Sequence, residues 1–432
     1  MVNLGSRQIL AIVGFVGFVC IYLSTQLPLG LPNLSFVQRN GSHFVVDGKP
    51  FYINGWNSYW LMAQAVDFST RSKVKTILRR GASMGMTVCR TWAFNDAGYQ
   101  ALQVAPGKYD EDVFQALDYV LVEARRNRVR LLLSLANNLD AFGGKGQYVR
   151  WAHDAGVDVG TSNDTFFSNP HVMKYYKAHI KAILTRVNSI TGVAYRDDPT
   201  IFAWELMNEP RCPSDPSGDT LQHWIKQMSS YVKALDSKHL VTIGLEGFYG
   251  TWSSDRLNVN PGHWADSLGS DFLRNHQISS VDFASVHVYP DNWTPDLNFE
   301  DMLKELLDWV SVHIQDGAQR LDKPVLFTEF GLSASSKGFE EKSRNLLFKT
   351  MYEEIYGSAK SVGAAAGSMV WQLVVDGLEE FSDTYAFIPW KERSTYKLMV
   401  IQSCRLKALF DTTATRKSRS IQCGKMMVDG IP

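Results

Sequence analysis

The stretch IFAWELMNE (201–209) decides how this chain folds. It begins as an apolar run rich in strand formers, the pattern of a strand buried on both faces. It ends not in an ordinary turn but in Asn208, Glu209 and Pro210. A buried carboxylate is costly unless it is paired or put to use. Glu209 therefore asks what fold would place a charge at the end of a buried strand.

Working outward, runs of the same kind alternate with helical spacing. INGWN (53–57) reads as a strand, with a helix from Ser69, a plausible N-cap, to Gly81. MTVCRTWAF (86–94) precedes a helix over 111–127, and VRLLLSLAN (129–137) precedes one over 170–191, which opens at Pro170 and stops before Gly192. The opening stretch precedes a helix over 219–236, and LVTIGLE (240–246) one over 265–276. VDFASVHVY (281–289), PVLFTEF (324–330) and GSMVWQL (367–373) precede helices over 299–316, 339–361 and 392–410. Eight strands, each followed by a helix, predict an α/β fold, the (β/α)8 TIM barrel. FVVDGKPFYI (44–53), with Asp47-Gly48 at its centre, predicts a short N-terminal β-hairpin closing the barrel bottom.

The barrel gives Glu209 an address, because chemistry in this fold sits at the C-terminal ends of the strands. The same ends carry Arg90 and Trp92, Asn137 and Asn138, Asn208, His287 and Tyr289, Glu329, and Trp371. Two carboxylates across one barrel mouth suit glycosidic cleavage. One donates a proton to the leaving oxygen; the other attacks the anomeric carbon or activates a water. Arg90 and Tyr289 would keep Glu329 ionised, Asn208 would bind a sugar 2-hydroxyl, and Trp371 would stack on the ring. Glu205, on the same face as Glu209 but deeper, reads as a barrel-interior or ion-pair residue. His287, Trp204 or Trp371 taken singly would be ordinary core.

Three patterns mislead. GASMG (81–85) matches G-x-S-x-G, but it ends a helix and opens a strand, the reverse of a nucleophile elbow. GGKG (143–146) lacks the strand–loop–helix context of a phosphate cradle. The ten histidines show no H-E-x-x-H pairing, so no metal or other cofactor is implied.

The 432 residues balance 44 basic against 44 acidic side chains, which excludes a strong electrostatic case for nucleic acid. Twelve Trp, 17 Tyr and 23 Phe fit either a large core or a sugar-binding cleft. At the N-terminus the apolar run Ile9–Leu23 follows Arg7 and is short for a membrane span. Residues 1–26 read as a signal peptide or an uncleaved signal anchor, 27–36 as a linker, 37–410 as the catalytic domain and 411–432 as a basic tail. Sequons at Asn33, Asn40, Asn163 and Asn292 support secretion. Of the five cysteines, Cys89 reads as a free buried thiol, and Cys404 and Cys423 are read as a pair.

WELMNEPRC (204–212), HVYPDNW (287–293), FTEFG (327–331) and RTWAF (90–94) together resemble the strand-end signatures of glycoside hydrolase family 5, in particular the plant endo-β-1,4-mannanases, over roughly residues 37–410. The resemblance implies Glu209 as acid/base and Glu329 as nucleophile. It implies a supporting shell of Arg90, Asn208, His287, Tyr289 and Trp371, with Arg211 binding mannose on the leaving-group side. Trp92 and Asn137 join the substrate-binding set. It further implies a retaining double displacement without metal, secretion to the cell wall, a mannan-type polysaccharide as partner, no protein partner, and a monomer. Leu139 departs from relatives that carry an aromatic there, which removes a stacking contact. The long segments 139–169, 246–280 and 373–391 hold Trp151, Trp252, Trp264 and Trp390, candidates for lining subsites. The alternatives are a mannan transglycosylase, a β-1,4-glucanase and a catalytically silent mannan-binding wall protein.

Overall fold

The computed structural model describes residues 30–410. Three short strands come first: β1 (Gln38–Asn40), β2 (His43–Val46) and β3 (Lys49–Pro50). They pair antiparallel, so the expected hairpin gains a third strand in front of it. Asp47 and Gly48 both take positive φ at its turn. The barrel strands β4 (Ile53–Asn57) and β5 (Val88–Trp92) follow, then a small outer ribbon, β6 (Gln103–Ala105) and β7 (Lys108–Tyr109). The remaining barrel strands are β8 (Arg130–Ser134), β9 (Ile201–Glu205), β10 (Leu240–Thr242), β11 (Ala284–Val288), β12 (Val325–Phe330) and β13 (Ala365–Val370).

The eight barrel strands run parallel in the order β10-β9-β8-β5-β4-β13-β12-β11. The seam between β10 and β11 is closed largely by side chains. Val241 N–H donates to Asp282 Oδ2 at 2.6 Å, Gly244 N–H to Ser285 Oγ at 3.1 Å, and Asp282 N–H to the Val241 carbonyl at 2.8 Å. Every residue of the eight strands is buried, which is why each reads as an unbroken apolar run. Phe44 of β2 plugs the N-terminal end, meeting Phe202 and Phe283 edge-on at 5.2 and 5.1 Å. This is the bottom closure expected from the sequence.

Several boundaries move. The helix placed from Ser69 is Arg71–Ser83, and neither Ser69 nor Thr70 caps it with a side chain. Ser69 instead donates twice to Asp67. The helix placed over 170–191 is Pro170–Thr185, because the chain turns back into a bridge between Val187 and Ala194. Asn169 caps it, accepting from the N–H groups of His171 and Val172. The helix over 265–276 is a tight turn, His263–Ser267, and one short helix, Phe272–His276. The supposed linker already packs at its end, where Phe36 meets the His239 ring at 4.9 Å.

Asn33, Asn40, Asn163 and Asn292 are all exposed. Cys89 and Cys212 are free and buried, and Cys404 is disulfide-bonded. Cys423, the apolar run Ile9–Leu23 and the tail 411–432 lie outside the described residues. Among those described, no helix is long and apolar enough to cross a membrane.

Candidate active site

The chain leaves β9 at Glu205, and the two glutamates of the opening stretch part company there. Glu205 turns into the barrel. Its carboxylate takes Arg90 Nε at 3.0 Å and Nη2 at 2.6 Å, and Ser134 Oγ–H at 2.7 Å. Trp204 turns the other way, into the core, and donates its indole N–H to Asp236 Oδ2 at 2.7 Å. Four residues on, Glu209 adopts a left-handed backbone with φ 52°, a conformation that non-glycine residues rarely hold and that clusters at functional sites. Its N–H donates to the Gly244 carbonyl at 2.9 Å. Gly244 must be glycine: its φ is 96°, and a Cβ there would lie 2.0 Å from the Met207 carbonyl. The sequence thus turns Glu209 into the barrel mouth at a backbone cost that packing against β10 sustains.

Glu329 lies within β12, facing Glu209. Oxygens of Glu209 and Glu329 and the Nδ1 of His287 all lie within 4.8 Å of one another. Arg90 Nη1 donates to Glu329 Oε1 at 2.5 Å and Tyr289 O–H to Glu329 Oε2 at 2.6 Å. His287 Nδ1 stands 2.8 Å from Glu209 Oε1 and 3.5 Å from Glu329 Oε2. Such a trio can hold a metal ion, but here both oxygens of Glu329 already have donors that a cation would have to displace.

Electrostatics separates the two carboxyls. Burial raises the pKa of both. On Glu329 the rise is opposed by His287, Arg90 and the Tyr289 hydrogen bond. On Glu209 it is opposed by Arg211 and Arg90 from a distance, Arg211 being committed to Glu246 and Arg90 to Glu205 and Glu329. Glu329 thus has two direct donors to its carboxylate, Arg90 and Tyr289, that favour its ionised form. Burial works against the charge on Arg90, but Glu205 and Glu329 outweigh it and raise its pKa. Burial, aided by the Glu329 charge, pushes Tyr289 well above an ordinary phenol, so it keeps its proton and donates.

Glu209→Gln removes the group expected to donate the proton to the leaving oxygen. Hydrolysis of polymer is expected to fall by about 10²–10⁴-fold. On an aryl glycoside with a good leaving group, the alkaline limb of the pH–rate profile should vanish while the acid limb, set by Glu329, remains. An unchanged profile in that variant would contradict these assignments.

Asn208 is oriented by Arg90. A guanidinium can only donate, so the Asn208 Oδ1 must face its Nη2, at 2.7 Å. The Nδ2 then donates once to Asn137 Oδ1 at 3.1 Å and retains a second N–H. Asn137 is spent on structure: its Nδ2 donates to the Ala141 carbonyl at 3.1 Å and its Oδ1 also accepts from Leu139 N–H.

Asn137, Asn208, Glu209, Arg211, Tyr289 and Glu329 line a cleft of about 410 Å³, together with Tyr59, Leu139, Phe142, Glu246, Asp383 and Tyr385. Trp371 lines the same cleft. Its ring is parallel to Tyr59 at 5.7 Å, and its indole N–H donates to Asp383 Oδ2 at 2.7 Å. Trp92 also lines it, with the Arg90 guanidinium 4.9 Å from its ring centre. The structure brings together ten of the residues named from the sequence: Arg90, Trp92, Asn137, Asn208, Glu209, Arg211, His287, Tyr289, Glu329 and Trp371.

Sequence reasoning missed Glu246, Tyr59, Asp383 and Tyr385. Glu246 was findable, because it closes LVTIGLE at the same strand-end address as Glu209. Burial and the nearby Glu209 charge raise it to about 7 despite its ion pair with Arg211. Asp383 and Tyr385 lie in a segment without periodicity and gave no signal. Of the loop tryptophans, Trp151 packs edge-on to Tyr148 at 5.2 Å, and Trp390 lies under Arg80 at 5.3 Å. Neither faces the cleft, nor does Trp252.

A family model described as GH family 5 β-mannosidase-like matches residues 34–398. Mannan endo-1,4-β-mannosidase 2 of Arabidopsis thaliana is 53% identical over 410 residues, 94% of this chain and 95% of that protein. Mannan endo-1,4-β-mannosidase 2 of Oryza sativa subsp. japonica is 55% identical over 379 residues, 87% and 85% respectively. Among solved structures, the endo-1,4-β-mannanase of Rhizomucor miehei superposes with a TM-score of 0.70 at 30% identity, covering 87% of this chain and all of that one. The endo-1,4-β-D-mannanase of Thermotoga petrophila gives 0.70 at 29% identity, covering 82% and 99%. With this match over most of its length, the chain belongs to the GH family 5 β-mannosidase-like enzymes.

Proposed function

We propose that the protein is an endo-acting, retaining glycoside hydrolase that cuts internal β-1,4-mannosidic bonds of mannan, glucomannan or galactomannan. The observation that carries this reading is the spacing of Glu209 and Glu329, whose oxygens approach within 4.8 Å. Inverting enzymes hold their carboxyls about 6.5–9.5 Å apart to admit a water, whereas retaining enzymes hold them at about 5–5.5 Å.

In the first step a Glu329 oxygen attacks the anomeric carbon while the bond to the leaving sugar breaks. The Glu209 proton goes to the leaving oxygen, and the sugar stays on Glu329 as an ester. In the second step a water gives a proton to Glu209 and its oxygen attacks the same carbon, releasing Glu329. Arg90 and Tyr289 hold Glu329 in line and ionised. The remaining N–H of Asn208 is directed to the sugar 2-hydroxyl, and Trp371 supplies an apolar wall for the ring. The relatives named above support mannan as the substrate class, and the open cleft supports cleavage within a chain.

Incubation with glucomannan and with unbranched β-glucan tests this. Rapid shortening of glucomannan with β-glucan untouched is the expected outcome. Comparable cleavage of both would make it a β-glucanase; binding without cleavage would make it a wall lectin. Secretion to the cell wall belongs to the same proposal, supported by the N-terminal apolar run and four exposed sequons. Wall-derived protein should begin beyond residue 26. Protein retained in membranes with residues 1–26 intact would identify an anchor instead.

A further inference from the structure

The segment that follows β13 closes one side of the cleft, and one carboxylate organises it. Asp383 is exposed, where a carboxylate is ordinarily left to solvent. Three N–H groups nevertheless converge on it. Its Oδ2 accepts from the Trp371 indole N–H at 2.7 Å and from Gln372 Nε2–H at 3.2 Å. Its Oδ1 accepts from the Tyr385 N–H at 3.0 Å. None of these donors is charged. What they share is the need for an acceptor, and a carboxylate accepts on both oxygens.

Trp371 is the group that gains from this. Its ring lies parallel to Tyr59, with 9° between the planes and 5.7 Å between the centres. Stacking of this kind fixes the tilt of a ring but lets it slide and turn in its own plane. A hydrogen bond at the indole edge removes that freedom. Tyr59 itself is tied to the same segment, since its hydroxyl donates to the Phe381 carbonyl at 3.0 Å.

The segment is fastened in turn to the loop that follows β12. Ser333 Oγ–H donates to Thr384 Oγ1 at 2.7 Å, and the Ala334 N–H donates to the Thr384 carbonyl at 2.6 Å. Asp383 therefore stands next to a residue held by the chain that has just carried Glu329. The hydrogen bond from Trp371 to Asp383 sets the aromatic wall by reference to the strand of the nucleophile, and both must meet one sugar ring.

We infer that Asp383 is a positioning residue, which fixes the Trp371 indole in register with Glu329 and itself touches no reacting atom. The inference rests on the function proposed above, with Glu329 as nucleophile.

The test is kcat and KM on a β-1,4-mannooligosaccharide for the wild type, Asp383→Ala and Asp383→Asn, each also combined with Trp371→Ala. Asp383→Ala should lose roughly 10–10²-fold, mainly in kcat, because orientation at the reacting centre suffers more than binding does. Its denaturant midpoint should stay at the wild-type value. Asp383→Asn keeps an acceptor oxygen for the indole and should recover most of the loss. In the Trp371→Ala background, Asp383→Ala should cost about twofold or less, since its effect runs through the ring. A full loss in that background would show that Asp383 acts without Trp371 and overturn the inference. So would an Asn variant as poor as the Ala variant, or no loss in either. A wild type inert on every mannooligosaccharide overturns the function reading itself.

Discussion

Glu329→Ala is expected to fold normally and to lose on the order of 10⁴-fold or more in kcat on mannan, since the group that forms the covalent bond is gone. The barrel should survive because removing a carboxylate from beside Arg90 leaves that cation still paired with Glu205. The loss should be specific to the nucleophile and therefore recoverable. With an aryl β-mannoside that carries a good leaving group, added azide can enter the space the carboxylate left. It attacks the anomeric carbon from the same side, and its product, never displaced again, has inverted configuration. Rescue with an inverted product assigns Glu329. Substantial activity on mannan without azide would refute the role.

Arg90→Met carries the second large effect, this time on stability. Arg90 is fully buried, and its donors serve Asn57, Glu205, Asn208 and Glu329. Breaking a buried pair by deleting one partner costs about 3–5 kcal/mol, because the remaining charge is left uncompensated. Here two carboxylates lose their cation at once. Denaturant unfolding should show a loss in that range or above it near neutral pH. The loss should shrink as pH falls, since protonating Glu329 removes part of the stranded charge. A lysine substitution should recover little, for an ammonium cannot span both carboxylates in the guanidinium's fork geometry. Stability unchanged at neutral pH would mean that this network does not hold the barrel mouth together.

The fold was legible because parallel barrel strands are buried on both faces. Their apolar runs stand out, and the eightfold alternation leaves little choice of architecture. Active-site legibility came from the same source, because strand ends are defined once strands are. Glu246 shows that the rule extends further than it was applied. What the sequence hid was mostly three-dimensional. Nothing local says that Arg90 serves Glu205 as well as Glu329, since these lie 115 and 239 residues away. The helix assigned to 170–191 failed for another reason. Apolar spacing continues through Val187 and Ile190, but the chain there folds into a bridged turn closed by Asn188, whose Oδ1 takes two backbone N–H groups. Asp383 and Tyr385 complete the cleft from a segment whose fold is set by what it packs on, not by its own pattern.

The central claim is that Glu329 carries the sugar between the two steps. Its most direct measurement is trapping with a 2-deoxy-2-fluoro-β-mannosyl fluoride, which forms the glycosyl-enzyme quickly and releases it slowly, followed by mass mapping of the labelled peptide. The account predicts one sugar per protein, on the peptide containing Val325–Phe330 and at Glu329. A label on Glu209 or Glu246, or turnover of the reagent with no adduct and an inverted first product, would contradict it.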